Sequence, residues 1–337
     1  MDLNEDGMAD IISGSYSVTA DMHGLFYVFW GSEDGFKAAE TINGTDGNPL
    51  LNHNDEVGDD QKLGKELYYT RVFSADLNGD GHLDLVAGSS SGSFHFFEGE
   101  GAGKFNPKAT KLNADGSPLN VSGRSDPCLF DWDGDGDLDL ISGAGPGGVN
   151  FAENIGSKTE LKFSPFVSLV EPAGYNFGKG ILGDAHINAP CSKTRVSVGD
   201  VNGDGLFDLL VGDQVSLQFA AEGVEESEVQ KGLENWQSKY DRMVDADDPE
   251  REREELMAKV EAIVQKFVAK KIDGDQLVKE MKPLENKLTA LNNKEKALMD
   301  QRKKIVRRYS TGFVWVYYQV PASEAKTTSS MQTESID

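Results

Sequence analysis

Asp76, Asn78, Asp80 and Asp84 crowd into nine consecutive positions, with Gly79 and Gly81 between them. Like charges this close repel, so the stretch is either a solvated turn or a cradle for something positive. The arrangement occurs four times without gaps: "DLNEDGMADIISG" from Asp2, "DLNGDGHLDLVAG" from Asp76, "DWDGDGDLDLISG" from Asp131 and "DVNGDGLFDLLVG" from Asp200. All four read D-x-[DN]-x-D-G-x-x-D-[LI]-x-x-G. A solvated turn has no need of oxygen-bearing side chains at positions 1, 3, 5 and 9 every time, whereas a hard cation does. Ca²⁺ takes about six to eight oxygens, and alternate residues of a tight loop aim theirs inward. Glycine at position 6 permits a bend that a side chain would obstruct. The expected side-chain ligands are Asp2, Asn4, Asp6 and Asp10; Asp76, Asn78, Asp80 and Asp84; Asp131, Asp133, Asp135 and Asp139; Asp200, Asn202, Asp204 and Asp208. Position 7 adds the backbone carbonyls of Met8, His82, Asp137 and Leu206.

These loops are not EF-hands. An EF-hand needs a bidentate Glu at position 12 and flanking helices, and position 12 here is Ser13, Ala87, Ser142 and Val211. A short β-rich run such as Asp84-Leu85-Val86-Ala87 follows each loop, and the alternating Arg195-Val196-Ser197-Val198 precedes the last. The metal loop therefore joins two strands.

The repeat extends beyond the loop. Each copy continues into a glycine and an aromatic strand: "GLFYVFWG" from Gly24, "GSFHFFEG" from Gly92, "GVNFAEN" from Gly148 and "GFVWVYYQ" from Gly312. In three copies a short segment then reaches Phe36, Phe105 or Phe163, each expected to be exposed, and two copies share a turn, "DGNPL" from Asp46 and "DGSPL" from Asp115. Each unit is thus about four strands, and repeated four-stranded units are the signature of propeller blades. The fold class expected is an all-β propeller-like array of four-stranded blades with an inserted α-helical hairpin.

On these residues the chain resembles the FG-GAP or VCBS repeats, the calcium-loop blades of integrin-α-type β-propellers and of many bacterial secreted proteins. "AENIGSKTELKF" from Ala152 is similar to a tail seen in bacterial members. The resemblance covers residues 1–215 and 310–320. It implies one Ca²⁺ per loop and a secreted, periplasmic or cell-surface setting. Two departures stand out: four repeats are present where the integrin-like ring usually has seven blades, and the last unit lacks a fourth strand, because Pro321 and a polar tail follow.

The fourth unit is interrupted. From the first loop aspartate to the aromatic-strand glycine the separation is 22, 16 and 17 residues in the first three units and 112 in the fourth. The inserted composition turns to Glu, Lys, Leu and Ala. Leu277, Met281, Leu284, Leu288, Leu291, Leu298 and Ile305 fall on a 4-3 spacing, with polar breaks at Glu295 and Arg302. Pro249 suits a helix first turn, "DGD" from Asp273 a turn between two helices, Pro283 a kink or restart, and Trp236, Tyr240 and Met243 a shorter first helix. Two readings of the seam stand side by side: packing within the hairpin, or a self-associating or partner-binding coiled coil. The expected organisation is repeats over 1–215, a helical insertion over 216–309, a return strand over 310–321 and a disordered tail over 322–337.

The chain of 337 residues carries a net charge of −24, which argues against nucleic acid and anionic membrane surfaces as partners. Residues 225–308 hold 19 basic and 19 acidic residues, so the β part, with 14 basic and 38 acidic residues, carries the whole imbalance. No apolar run is long enough to span a membrane. No signal segment is present. Met1 abuts the first ligand, Asp2, and no strand precedes that loop, so the start reads as truncated. Cys128 and Cys191 each follow a proline and are open to either a disulfide or two buried thiols.

Nothing marks an enzyme outright. The five histidines, His23, His53, His82, His95 and His186, are not spaced as a metal-ligand pair, and His95 reads as a packed strand residue. No G-x-S-x-G, Walker-type or dinucleotide fingerprint is present. Asp184 with His186 is the remaining acid/base pair. The function expected is an extracytoplasmic calcium-binding module that binds a glycan or protein ligand. The alternatives are a calcium-dependent polysaccharide lyase or hydrolase, and a cell-envelope component assembled through its helices. A lyase on this scaffold would need a cluster of Lys, Arg, Tyr or His in a groove, and only 14 basic residues lie outside the insertion.

Overall fold

A computed structural model describes residues 1–16, 24–52, 69–174, 181–185 and 187–320. Among these the chain is mostly β, in several small antiparallel sheets with three helices and no closed barrel. The first repeat contributes β1 (Ile11–Gly14), β2 (Phe26–Phe29), β3 (Gly31–Ser32), β4 (Gly35–Phe36) and β5 (Glu40–Thr41), with β1, β2 and β5 in one sheet. The second contributes β6 (Arg71–Ala75), β7 (Asp84–Gly88), β8 (Phe94–Phe97) and β9 (Thr110–Lys111) in order, followed by the hairpin of β10 (Asn113–Ala114) and β11 (Ser117–Pro118). The third is the four-stranded sheet β12 (Asp126–Phe130), β13 (Asp139–Gly143), β14 (Val149–Ala152) and β15 (Val167–Val170). The fourth contains β16 (Ile181–Leu182), β17 (Ser192–Gly199), β18 (Asp208–Ala220), β19 (Val306–Thr311) and β20 (Val314–Tyr317), all in one sheet built on β18.

A strand with one wet face alternates between buried and exposed. β7 and β13 do not: all five residues of each are buried. The reason is that both faces are covered by neighbouring repeats. Leu85 and Ala87 pack with Phe26 and Val28 of the first repeat, whereas Val86 packs with Leu129 and Leu140 of the third. Ile141 in turn packs with Leu209, Val211 and Trp315 of the fourth. The fully buried Phe94 and Phe97 sit in these two different clusters. Truncating either to alanine costs about 3–5 kcal/mol by the usual core scale.

Phe105 and Phe163 are 1% exposed, against the expectation of surface positions, while Phe36 is 56% exposed. The cause is a contact at long range. Phe105 bridges to Gly44 of the first repeat and Phe163 to Ala114 of the second, so each closes on the repeat before its own. Phe36 has no such bridge among the described residues.

The chain divides into two compact units, Met1–Val215 with Ser310–Asp337, and Ser216–Tyr309. The second contains α1 (Glu226–Asp247), α2 (Pro249–Val268) and α3 (Gly274–Lys303). Pro249 stands in the first turn of α2, and Asp273 caps α3 by accepting from the Gln276 amide. Two expectations change. At 22 residues α1 is longer than the 20-residue α2, not shorter. Pro283 does not restart α3, which runs unbroken for 30 residues. Pro283 and Lys279, whose carbonyl loses its partner there, both lie on the exposed side, where water can take the bond.

From Leu277 to Leu298 the 4-3 seam is the covered face of α3, and Ile305 lies just past its end. Leu291 is buried, the other six seam residues are half-buried, and α1 and α2 pack against this helix. Its polar breaks are paired within the same unit. Arg253 Nη2 donates to Glu295 at 2.7 Å, and Arg302 Nη2 to Gln218 at 2.9 Å. The Arg302 guanidinium lies 4.9 Å from the Trp236 ring centre, and that indole donates to the Leu298 carbonyl at 2.7 Å. No described helix is long and apolar enough to cross a membrane. Residues 322–337 lie outside the described residues.

Candidate metal centres

The second, third and fourth acidic loops turn between the ends of two paired strands. Ala75 pairs with Asp84, Phe130 with Asp139, and Gly199 with Asp208, so position 9 stands opposite the last residue of the strand before the loop. The first loop leads into β1.

Inside the loops the carboxylates organise the backbone. In the second, Asp76 accepts from the amides of Gly79 (2.7 Å), Asp80 (3.1 Å) and Gly81 (3.0 Å). Asn78 Oδ1 accepts from the Asp80 amide at 3.0 Å. The position-5 carboxylate accepts from the position-7 amide in all four loops: Met8 to Asp6 at 2.9 Å, His82 to Asp80 at 2.8 Å, Asp137 to Asp135 at 3.0 Å and Leu206 to Asp204 at 2.8 Å. Asp2 and Asp200 repeat the role of Asp76, and Asn4 and Asn202 that of Asn78. The side chains at positions 1, 3 and 5 are therefore held close together around one turn.

The third loop shows this most clearly. Asp131, Asp133 and Asp135 each offer a carboxylate oxygen within 4.8 Å of the others. Three hard oxygens in that space suit a hard divalent cation and could hold one. Asp137, beside them, is held above the usual carboxylate range by burial and by Asp135, Asp139, Asp133 and Asp131.

Position 9 is placed differently. Asp10, Asp84, Asp139 and Asp208 are 4%, 0%, 1% and 0% exposed, and none is gathered with the exposed carboxylates. One oxygen of each accepts from the position-2 amide: Leu3 at 2.8 Å, Leu77 at 2.9 Å, Trp132 at 2.9 Å and Val201 at 3.0 Å. The other accepts from an amide beyond the third strand: Gly31 at 2.7 Å, Gly99 at 2.7 Å, Asn154 at 2.8 Å and Gln319 at 3.0 Å. Position 9 thus braces the loop to the far end of its own blade. Burial pushes Asp84 up to about 6, against the pull of the Gly99 and Leu77 amides.

The His82 ring lies 2.8 Å from Glu5 of the first loop, which raises its pKa through that hydrogen bond. His95 is buried in β8. Asp184 is exposed, and His23, His53 and His186 lie outside the described residues. Cys128 and Cys191 are buried free thiols.

A second constellation was not anticipated. A pocket of about 430 Å³ is lined by Tyr16, Tyr69, Arg71, Arg124, Asp126, Lys193, Arg195 and Asp213, among others. It is built by the repeat. Tyr69, Arg124 and Lys193 stand seven residues before Asp76, Asp131 and Asp200, and Arg71, Asp126 and Arg195 five before them. Aligning the copies upstream of the loops would have exposed both columns, but the first reads Tyr, Arg, Lys and the second Arg, Asp, Arg, so no motif announces them.

Residues 76–142, from the first aspartate of the second loop into the strand after the third, match the family model of the FG-GAP-like repeat. No curated protein matches the chain.

Proposed function

We propose, on the premise that residues 76–142 are an FG-GAP-type repeat, that this β-propeller-like module binds Ca²⁺ at its four acidic loops and acts outside the cytoplasm by binding a glycan or protein ligand. The observation that supports it most is the Asp131, Asp133 and Asp135 group, whose oxygens lie within 4.8 Å of one another. The ion in each loop is held by the side chains at positions 1, 3 and 5 and the position-7 carbonyl. Position 9 braces the loop and keeps a lone pair on the oxygen that faces the third-strand amide to complete the set. A loop without a bidentate glutamate belongs in the weak range, with a dissociation constant of about 10⁻⁴ to 10⁻³ M, typical of extracellular modules. Cytosolic calcium would leave such loops empty. Isothermal titration with Ca²⁺ should resolve close to four sites, and no heat at millimolar Ca²⁺ would sink this reading.

A second reading, a calcium-dependent lyase or hydrolase of a polysaccharide, is favoured by one observation. Arg71, Arg124, Lys193, Arg195, Tyr16 and Tyr69 converge on one pocket, which is the kind of cluster such an enzyme requires. Incubation with acidic polysaccharides and chromatography of the products separates binding from cleavage. Assembly through the helices is the weaker alternative, because the α3 seam packs within its own unit.

A further inference from the structure

The pocket holds four of the 14 basic residues found outside the insertion, in the part of the chain that carries the whole negative charge. Among the described residues, Arg71, Arg124, Lys193 and Arg195 line it together with two acids, Asp126 and Asp213. Asp213 is occupied: it accepts from the amides of Cys191 and Phe313 at 2.7 Å each, and from the Trp315 indole at 3.3 Å. Asp126 is left to serve the cations, with Arg71 Nε at 3.6 Å. Burial and the neighbouring guanidinium groups lower the affinity of Arg71 and Lys193 for their protons.

Three further observations mark the pocket as built. Tyr69, Arg124 and Lys193 have φ of 54°, 53° and 51°, a region that bulky side chains rarely adopt. The chain has 37 glycines and places none at these three positions. Backbone strain of this kind gathers at ligand sites, where it holds a side chain in position. The guanidinium groups are also pre-oriented. Arg71 lies 4.9 Å from the Tyr16 ring centre and Arg124 4.5 Å from that of Tyr69, with the two rings 4.3 Å apart. Finally, Arg124 Nη1 is buried without a hydrogen-bond partner among the described residues. A buried charged donor left unpaired costs more than an ordinary lost hydrogen bond, and a ligand acceptor removes that cost.

We propose that this pocket binds the uronic-acid units of an acidic saccharide, the guanidinium groups taking the carboxylate and Asp126 accepting from sugar hydroxyls. Arginine forks match a carboxylate in two parallel hydrogen bonds. A simple phosphate or sulfate would use the cations too, but would meet Asp126 as a repelling charge. A hydroxyl-rich carboxylate uses both signs. The volume of about 430 Å³ lies within the range of small-molecule sites. The proposal rests on the binding-module reading and names the ligand of that module.

The test is titration calorimetry on the full chain in millimolar Ca²⁺. The probes are galacturonate, glucuronate and mannuronate trimers, a neutral galactose trimer and inorganic phosphate. At least one uronate trimer should bind, with the neutral trimer and phosphate at least tenfold weaker. Arg124→Gln and the exposed Arg195→Gln should each weaken that binding tenfold or more, with melting temperature and Ca²⁺ stoichiometry unchanged as controls on folding. No binding by any uronate trimer, equal binding of phosphate, or binding untouched by Arg195→Gln would each overturn the proposal. The two readings fail separately. Ca²⁺ uptake without uronate binding removes only the pocket's ligand, whereas uronate binding without Ca²⁺ uptake removes only the calcium loops. Release of shortened, unsaturated products keeps the ligand class and makes the pocket catalytic.

Discussion

A side chain on Gly88 would place its first carbon 2.4 Å from the carbonyl oxygen of Ser125 in the next repeat. Gly14 stands in the same relation to Thr70 at 2.3 Å, and Gly143 to Thr194 at 2.1 Å. Glycine at position 13 is therefore the contact point through which one repeat seats the next. Gly212, at the same position in the fourth copy, has nothing within 4 Å.

Alanine should thus have opposite consequences at equivalent positions. Gly88→Ala or Gly143→Ala forces backbone apart and should cost about 1–3 kcal/mol or more, a fall of roughly 2–12 °C in melting temperature. Gly212→Ala should stay within about 0.5 kcal/mol. Thermal melts of the three variants at one Ca²⁺ concentration decide it, and equal shifts would remove the seating role.

Asp84 and Asp80 share a loop but differ in duty. Asp84→Ala deprives the Gly99 and Leu77 amides of their partner in a buried place, at about 1–3 kcal/mol for each unsatisfied group. This loss should persist in excess chelator. Asp80→Ala, at an exposed position, should weaken the protein only when Ca²⁺ is present. Paired melts with Ca²⁺ and with chelator separate the two, and a chelator-sensitive Asp84 effect would make it chiefly a ligand.

The Asp131 loop has aspartate at positions 1, 3, 5, 7 and 9, whereas the others have asparagine at position 3. More carboxylate attracts the cation more strongly. Asp135→Ala should therefore reduce calcium-dependent stabilisation more than Asp6→Ala, Asp80→Ala or Asp204→Ala. The reference scale is about 1.4 kcal/mol per site at free Ca²⁺ ten times the dissociation constant. Differential scanning calorimetry over a Ca²⁺ series measures the difference.

The loops and their strands were legible because each is written locally: Asp76 through Gly88 contains its own turn, brace and strand. What stayed hidden depends on neighbours. Phe105 and Phe163 looked like surface residues because the glycine and alanine they close on lie in another repeat. The buried role of Asp84 was hidden because its second amide, from Gly99, lies 15 residues ahead. Arg124 and Lys193 gave no local signal at all, since their meaning comes only from the fold that gathers them.

Burial pushes the Cys128 thiol up to about 12 and the Cys191 thiol up to about 11. The thiolate is the reactive form. At pH 8 it would be about one part in 10⁴ for Cys128 and one in 10³ for Cys191. Both should resist a thiol reagent in the native protein and react within minutes in denaturant. A rise in native reactivity is expected only as pH climbs above about 10. Rapid native labelling at pH 8 would contradict the burial of these side chains.

The closure of Phe105 and Phe163 on the repeat before their own has a consequence during synthesis. A chain emerging from the ribosome presents its amino-terminal repeat first. When Phe105 appears, the Gly44 region is already outside, and when Phe163 appears, so is Ala114. Each newly made blade finds the one before it already present to close on, and its other face is covered when the next blade follows. The array can be laid down one blade at a time, in the order in which it is read.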